Sequence, residues 1–161
     1  MSLHSPSRYW ETFSLRELVA EVCRSLESHF STHTIQTVID IPQHETITAD
    51  HELLRRAVRN LVLNCVDAMP GGGSLTATSA VEAEAVELEI ADTGAALTDE
   101  ERQQAFELLP SAQRGGTGWG LAVVQRIAEL HGGRISAANC PDGGVAFTLR
   151  IPRAVACEAA A

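Results

Sequence analysis

Apolar positions recur along the chain alternately at helical and at strand spacing, and that alternation lays out the fold. Leu15, Leu18, Val19, Val22 and Leu26 share one face of a helix predicted from Ser14 to about His29. It opens on a capping box, Ser14-Leu15-Arg16-Glu17, in which a hydroxyl and a carboxylate each satisfy an orphan backbone amide. Residues 34–41 alternate as a strand that Pro42 ends, and a short extended piece follows at Thr46, Ile47 and Thr48. Asp50 caps a long helix to about Met69, its buried face marked by Leu54, Val58, Leu61 and Cys65. Pro70 and three glycines stop it. Strands are predicted at 74–82 and 85–92, the second with Val86, Leu88 and Ile90 on one side. Thr98-Asp99-Glu100-Glu101 is a second capping box, opening a short helix inside an otherwise irregular stretch from 93 to 117. A helix over 118–130, closed by Gly132-Gly133, and strands at about 134–139 and 144–151 complete the pattern. This order predicts an α+β two-layer sandwich with helices on one face of a mixed sheet.

Length and charge narrow the picture. The 161 residues suit one domain, and 45% hydrophobic content supplies its core. The net charge of -9 argues against nucleic acid as a partner, since no basic stripe offsets it. All 12 cationic residues are arginine, so no step can depend on lysine. No apolar run reaches the roughly 18 residues of a membrane span, so no membrane contact by this domain is expected. The four cysteines, Cys23, Cys65, Cys140 and Cys157, have neither zinc-ribbon spacing nor the look of a disulfide framework. Cys23 and Cys65 fall on apolar helix faces, where packing explains them, and a reducing cytoplasm is the natural compartment.

Three segments carry the chemistry. Asn60 and Asn64 lie four apart on one helix face, and an asparagine oxygen is a neutral hard ligand suited to Mg²⁺ held mainly by phosphates and water. The pair alone also reads as two surface amides. Asp92 ends an apolar strand and Gly94 follows, so a carboxylate can accept the exocyclic amine of adenine while glycine lets the backbone approach the ring. In isolation this is also an ordinary strand-to-turn sequence. Gly115-Gly116-Thr117-Gly118-Trp119-Gly120 leads into an apolar helix, whose first amides favour a polyphosphate. Neither a P-loop nor a dinucleotide-binding βαβ unit surrounds it. Together the three segments point to Mg-ATP.

In these motifs the chain resembles the catalytic ATP-binding domain of bacterial sensor histidine kinases, of the Bergerat-fold superfamily that includes gyrase-type ATPases and heat-shock chaperones. Asn60 to Pro70 resembles the N box, Asp92-Thr93-Gly94 the G1 box, Phe106-Glu107 the F box and Gly116 to Leu121 the G2 box. The likeness is nearest to the nitrogen-regulation type, in which Asp-Ala-Met-Pro follows the N box. It implies that Asn64 ligands Mg²⁺, Asp92 reads adenine, Leu97 and Leu121 line the ring, and Asn60, Gly94, Arg114, Gly116, Thr117, Gly118 and Gly120 complete the ATP contacts. It divides the chain into a linker or added residues at 1–11, the ATP-binding domain at 12–152 and a frayed tail at 153–161.

Hydrolytic members of the superfamily carry a glutamate one turn before the metal-binding asparagine, as general base for water. Asn60 stands there, and an amide cannot take that proton. The resemblance therefore implies a domain that holds ATP for transfer to a histidine on a separate dimerisation domain of the parent protein, with a response regulator downstream. His44-Glu45, expected in a strand, and His51-Glu52, in the N-box helix, both lack the proline that follows the acceptor histidine. Departures surround the motifs: Ala96 replaces the second G1 glycine, Gln113 a phosphate-facing lysine, and Val145 a threonine. Arg114 is the one nearby replacement for the lost charge. The rival readings are a degenerate nucleotide-binding module acting through partners and a serine kinase of the anti-sigma-factor type.

Overall fold

In the computed structural model the described residues are 9–106 and 119–153. Five strands form a mixed sheet in the order β2-β4-β5-β7-β6: β2 (Ile35–Asp40), β4 (Gly73–Val81), β5 (Ala85–Asp92), β6 (Arg134–Asn139) and β7 (Val145–Pro152). Only β2 and β4 run parallel; the other neighbours are antiparallel. β1 (Trp10–Ser14) and β3 (Thr46–Asp50) pair separately as an antiparallel ribbon. Helices α1 (Leu15–Ser25), α2 (Glu27–His33), α3 (His51–Asp67) and α5 (Trp119–Leu130) make the second layer, with α3 packed between α1 and α5, and α4 (Asp99–Gln104) is a short surface helix. The architecture is the α+β two-layer sandwich.

Alternation explains the sheet. Val145, Phe147, Leu149 and Ile151 of β7 are buried, as are Val86, Leu88 and Ile90 of β5, and both sets face the helices. The α3 stripe of Leu54, Val58, Leu61 and Cys65 meets them in the core. Asp50 caps α3 by accepting the Leu53 N–H at 3.1 Å, and the reciprocal box at Thr98 and Glu101 is complete. At Ser14 the hydroxyl accepts the Glu17 N–H.

Three expectations change. Trp10 and Glu11, expected in the linker at 1–11, open β1 (Trp10–Ser14), because pairing with β3 satisfies a backbone that the local pattern does not. The first helix breaks at Leu26, where the Ser25 hydroxyl donates back to the Val22 carbonyl at 2.7 Å. His44 and Glu45 lie in the turn between β2 and β3, where Glu45 accepts a hydrogen bond from the Ser79 hydroxyl. Among the described residues no helix is long and apolar enough to cross a membrane.

Candidate nucleotide site

The site forms where the end of β5 meets the last turns of α3. The β5–β7 register sets Ala91 opposite Ala146, so Asp92 comes level with the start of β7. Asp92 is 2% exposed, and its Oδ1 accepts the Gly94 N–H at 3.0 Å and the Val145 N–H at 3.1 Å. These two bonds hold the carboxylate at a fixed angle. Two glycines make room for it. A Cβ on Gly94 would stand 2.3 Å from the Ala68 carbonyl oxygen at the end of α3, and one on Gly144 would stand 1.9 Å from the Asp92 carbonyl oxygen. Gly144 also has φ +90°, a conformation that side chains disfavour. Val145 thus contributes its amide to Asp92 while its side chain is buried. Ala96 requires no left-handed backbone: Thr34 is the only described non-glycine residue with positive φ.

Leu97 is 6% exposed and held by an amide clamp that sequence reasoning did not find. Its N–H donates to Asn139 Oδ1 at 2.9 Å, and Asn139 Nδ2 donates to the Leu97 carbonyl at 2.8 Å. Thr93 ties the strand end to α3: its hydroxyl accepts the Ser74 N–H at 3.0 Å and donates to Met69 Sδ at 3.6 Å. Phe106 packs edge-on to Phe147, their ring centroids 6.4 Å apart.

On α3 the two asparagines have separate fates. Asn60 Nδ2 donates to the Gly120 carbonyl at 3.3 Å, joining α3 to the first turn of α5. Asn64 Oδ1 is buried and has no hydrogen-bond partner among the described residues. An acceptor in that state costs about 1–3 kcal/mol, so it calls for a ligand, and a hard cation fits its chemistry. Leu121, 5% exposed, joins the core from the same end of α5. Asn60, Asn64, Asp92, Gly94, Leu97, Gly120 and Leu121 are all described, and hydrogen bonds or close packing link Asn60 to Gly120 and Asp92 to Gly94. Arg114, Gly116, Thr117 and Gly118 lie outside the described residues. An open groove of about 870 Å³ between α1, α2 and edge strand β2, lined by Cys23, Phe30, Gln36 and Gly73 among others, contains none of the predicted site residues.

The family described as histidine kinase-, DNA gyrase B- and HSP90-like ATPase matches residues 49–155. Among curated relatives, the adaptive-response sensory kinase SasA of Synechococcus sp. (strain CC9311) is 31% identical over 158 residues, covering 94% of this chain and 40% of its own. The sensor-type histidine kinase PrrB of Mycobacterium bovis is 43% identical over 103 residues, covering 62% of this chain and 23% of its own. The chain therefore spans less than half the length of these relatives. Among solved structures, the catalytic domain of the histidine kinase ThkA superposes with a TM-score of 0.81 at 26% identity, covering 89% of this chain and 97% of that one. These matches do not single out the nitrogen-regulation type. The chain belongs to the histidine kinase-, DNA gyrase B- and HSP90-like ATPase family, as an ATP-binding catalytic domain of the histidine-kinase kind.

Proposed function

We propose that this domain binds Mg-ATP and donates the γ-phosphate to a histidine on a separate dimerisation domain of its parent protein, from which a response regulator takes it. The observation that carries the reading is the buried Oδ1 of Asn64, without a partner among the described residues, one neutral oxygen for a cation otherwise held by phosphates and water. Bound Mg²⁺ would supply neutralisation of phosphate charge. Asp92 accepts the adenine amine, Gly94 lets the ring approach, and Leu97 and Leu121 line it. Arg114, Gly116, Thr117, Gly118 and Gly120 contact the phosphates, and the amides and dipole of the first turn of α5 favour an anion.

Asn60 separates transfer from hydrolysis. Its amide donates to the Gly120 carbonyl and has no capacity to deprotonate water, so ATP is held rather than cleaved. A response-regulator partner is supported by a solved complex of ThkA with the response regulator TrrA, 25% identical to this chain. We place the domain in the cytoplasm.

The test is a labelling reaction with γ-labelled ATP and Mg²⁺, run with and without the parent's dimerisation domain. The expected result is acid-labile phosphate on the dimerisation domain in the mixture, and phosphate release at buffer background for the chain alone. Acid-stable label on a partner protein would favour the serine-kinase reading. No transfer and no magnesium-dependent binding would favour the degenerate module.

A further inference from the structure

His131 is a buried imidazole that the nucleotide site does not use, 3% exposed at the end of α5. Its Nε2 accepts the Asp50 N–H at 3.1 Å, so the ring proton sits on Nδ1 and is donated to the Ile127 carbonyl at 2.8 Å. Asp50 is the N-cap of α3. The indole of Trp10, in β1, stacks on the imidazole with centroids 5.0 Å apart and planes 19° from parallel. One ring thus touches the start of α3, the end of α5 and the first strand.

The other end of the same helix pair carries the second polar link, from Asn60 Nδ2 to the Gly120 carbonyl. α3 and α5 are therefore antiparallel and pinned twice, at residues 50 and 131 and at residues 60 and 120. At 1.5 Å per residue the pins stand about 15 Å apart along α3. Between them the contact is apolar, with Leu54, Ala57, Val58 and Leu61 of α3 and Leu121, Val124, Ile127 and Ala128 of α5 in one core. Apolar burial is non-directional and tolerates sliding, whereas each hydrogen bond is directional. A slip of one turn, about 5.4 Å, would break both pins.

We propose that His131 is a positioning residue for the nucleotide site, and that Trp10 makes it responsive to the entering strand. α3 carries Asn64 and the first turn of α5 carries Gly120 and Leu121, so the relative register of the two helices sets the distance between the metal ligand and those residues. A displacement of β1 unstacks Trp10 from His131, loosens the far pin and changes nucleotide affinity without touching a nucleotide contact. The inference rests on the nucleotide-binding reading above, and its test separates the two.

ATP affinity is measured by calorimetry in Mg²⁺ for wild type, His131→Phe, His131→Gln, Trp10→Ala and the double variant Trp10→Ala/His131→Phe. His131→Phe keeps a ring for the indole and removes both hydrogen bonds. It should weaken ATP by about fivefold or more, the lower end of ordinary coupling between separated sites. His131→Gln restores an acceptor toward Asp50 and should recover most of that loss. Trp10→Ala should weaken ATP in the same direction, and the double variant no further than His131→Phe alone, because both act through one joint. Amide hydrogen exchange at residues 120–124 without nucleotide is the second readout, and His131→Phe should accelerate it about 15 Å from the altered ring. A folded His131→Phe protein with wild-type ATP affinity and exchange overturns the proposal, as do fully additive effects. If wild type does not bind ATP, the functional reading falls, and the exchange measurement decides the joint alone. Should His131→Phe fail to fold, Trp10→Ala carries both readouts.

Discussion

Replacing Asp92 by asparagine and by alanine separates nucleotide recognition from folding. Oδ1 already accepts two backbone N–H groups, from Gly94 at 3.0 Å and Val145 at 3.1 Å, in a site 2% exposed. Asparagine can set its own oxygen in that position and keep both bonds, which puts its NH₂ where the second carboxylate oxygen stood. A group that accepted the adenine amine then opposes it as a donor. Loss of a charge-assisted bond is worth about 1.5–3 kcal/mol, or roughly a ten- to hundredfold fall in ATP affinity. Stability should change much less. Alanine instead strands both backbone donors, each at about 1–3 kcal/mol, so Asp92→Ala should melt far lower than Asp92→Asn. Calorimetric titration with ATP and thermal unfolding without it read the two effects independently. Wild-type affinity in Asp92→Asn would refute the adenine contact, and equal destabilisation by both substitutions would refute the assignment of Oδ1 to the backbone.

Asn64→Ala should weaken ATP in Mg²⁺ and leave binding in excess chelator unchanged, with an apo melting temperature no lower than wild type, because it removes a buried acceptor that has no partner among the described residues. A magnesium-independent loss would make Asn64 a packing residue. Gly94→Ala drives a methyl to 2.3 Å from the Ala68 carbonyl oxygen and should cost about 1–3 kcal/mol of stability together with ATP affinity; a neutral result in melting and titration would contradict the close approach. Burial raises the Cys23 thiol from 9.0 to about 11, so the folded state keeps a proton that the unfolded state releases. Stability should be full below pH 9 and fall as pH rises toward 11, and Cys23→Val should flatten that stretch of the unfolding profile. Gln113→Lys should strengthen ATP and leave ADP nearly unchanged; if Arg114 already supplies the charge, Arg114→Ala weakens ATP alone, and titration of both variants with both nucleotides distinguishes the cases.

Elements whose burial is one-sided were readable from spacing alone. α3 and β5 show their apolar period without interruption, and the structure buries the same residues. β1 was not readable, because Glu11 and Thr12 face solvent and the strand exists only through its pairing with β3. The break at Leu26 was hidden for the opposite reason: the apolar period runs straight through it, and a serine back-bond ends the helix. At the site, spacing exposed Asn60, Asn64 and the Asp92–Gly94 turn. It could not expose what holds them. Asn139 reaches Leu97 across 42 residues, the Val145 amide reaches Asp92 across 53, and His131 reaches Asp50 across 81. No local pattern encodes such contacts. Nor could it separate the two asparagines, since one bonds to a carbonyl on another helix and the other is left with a bare buried oxygen.

The most direct measurement is a calorimetric titration of the unaltered chain with ATP, once in Mg²⁺ and once in excess chelator. Saturable binding at one site is expected, tighter in Mg²⁺, because Asn64 Oδ1, without a partner among the described residues, gains one through the metal. Binding of equal strength in the two buffers, or no binding in either, would contradict it.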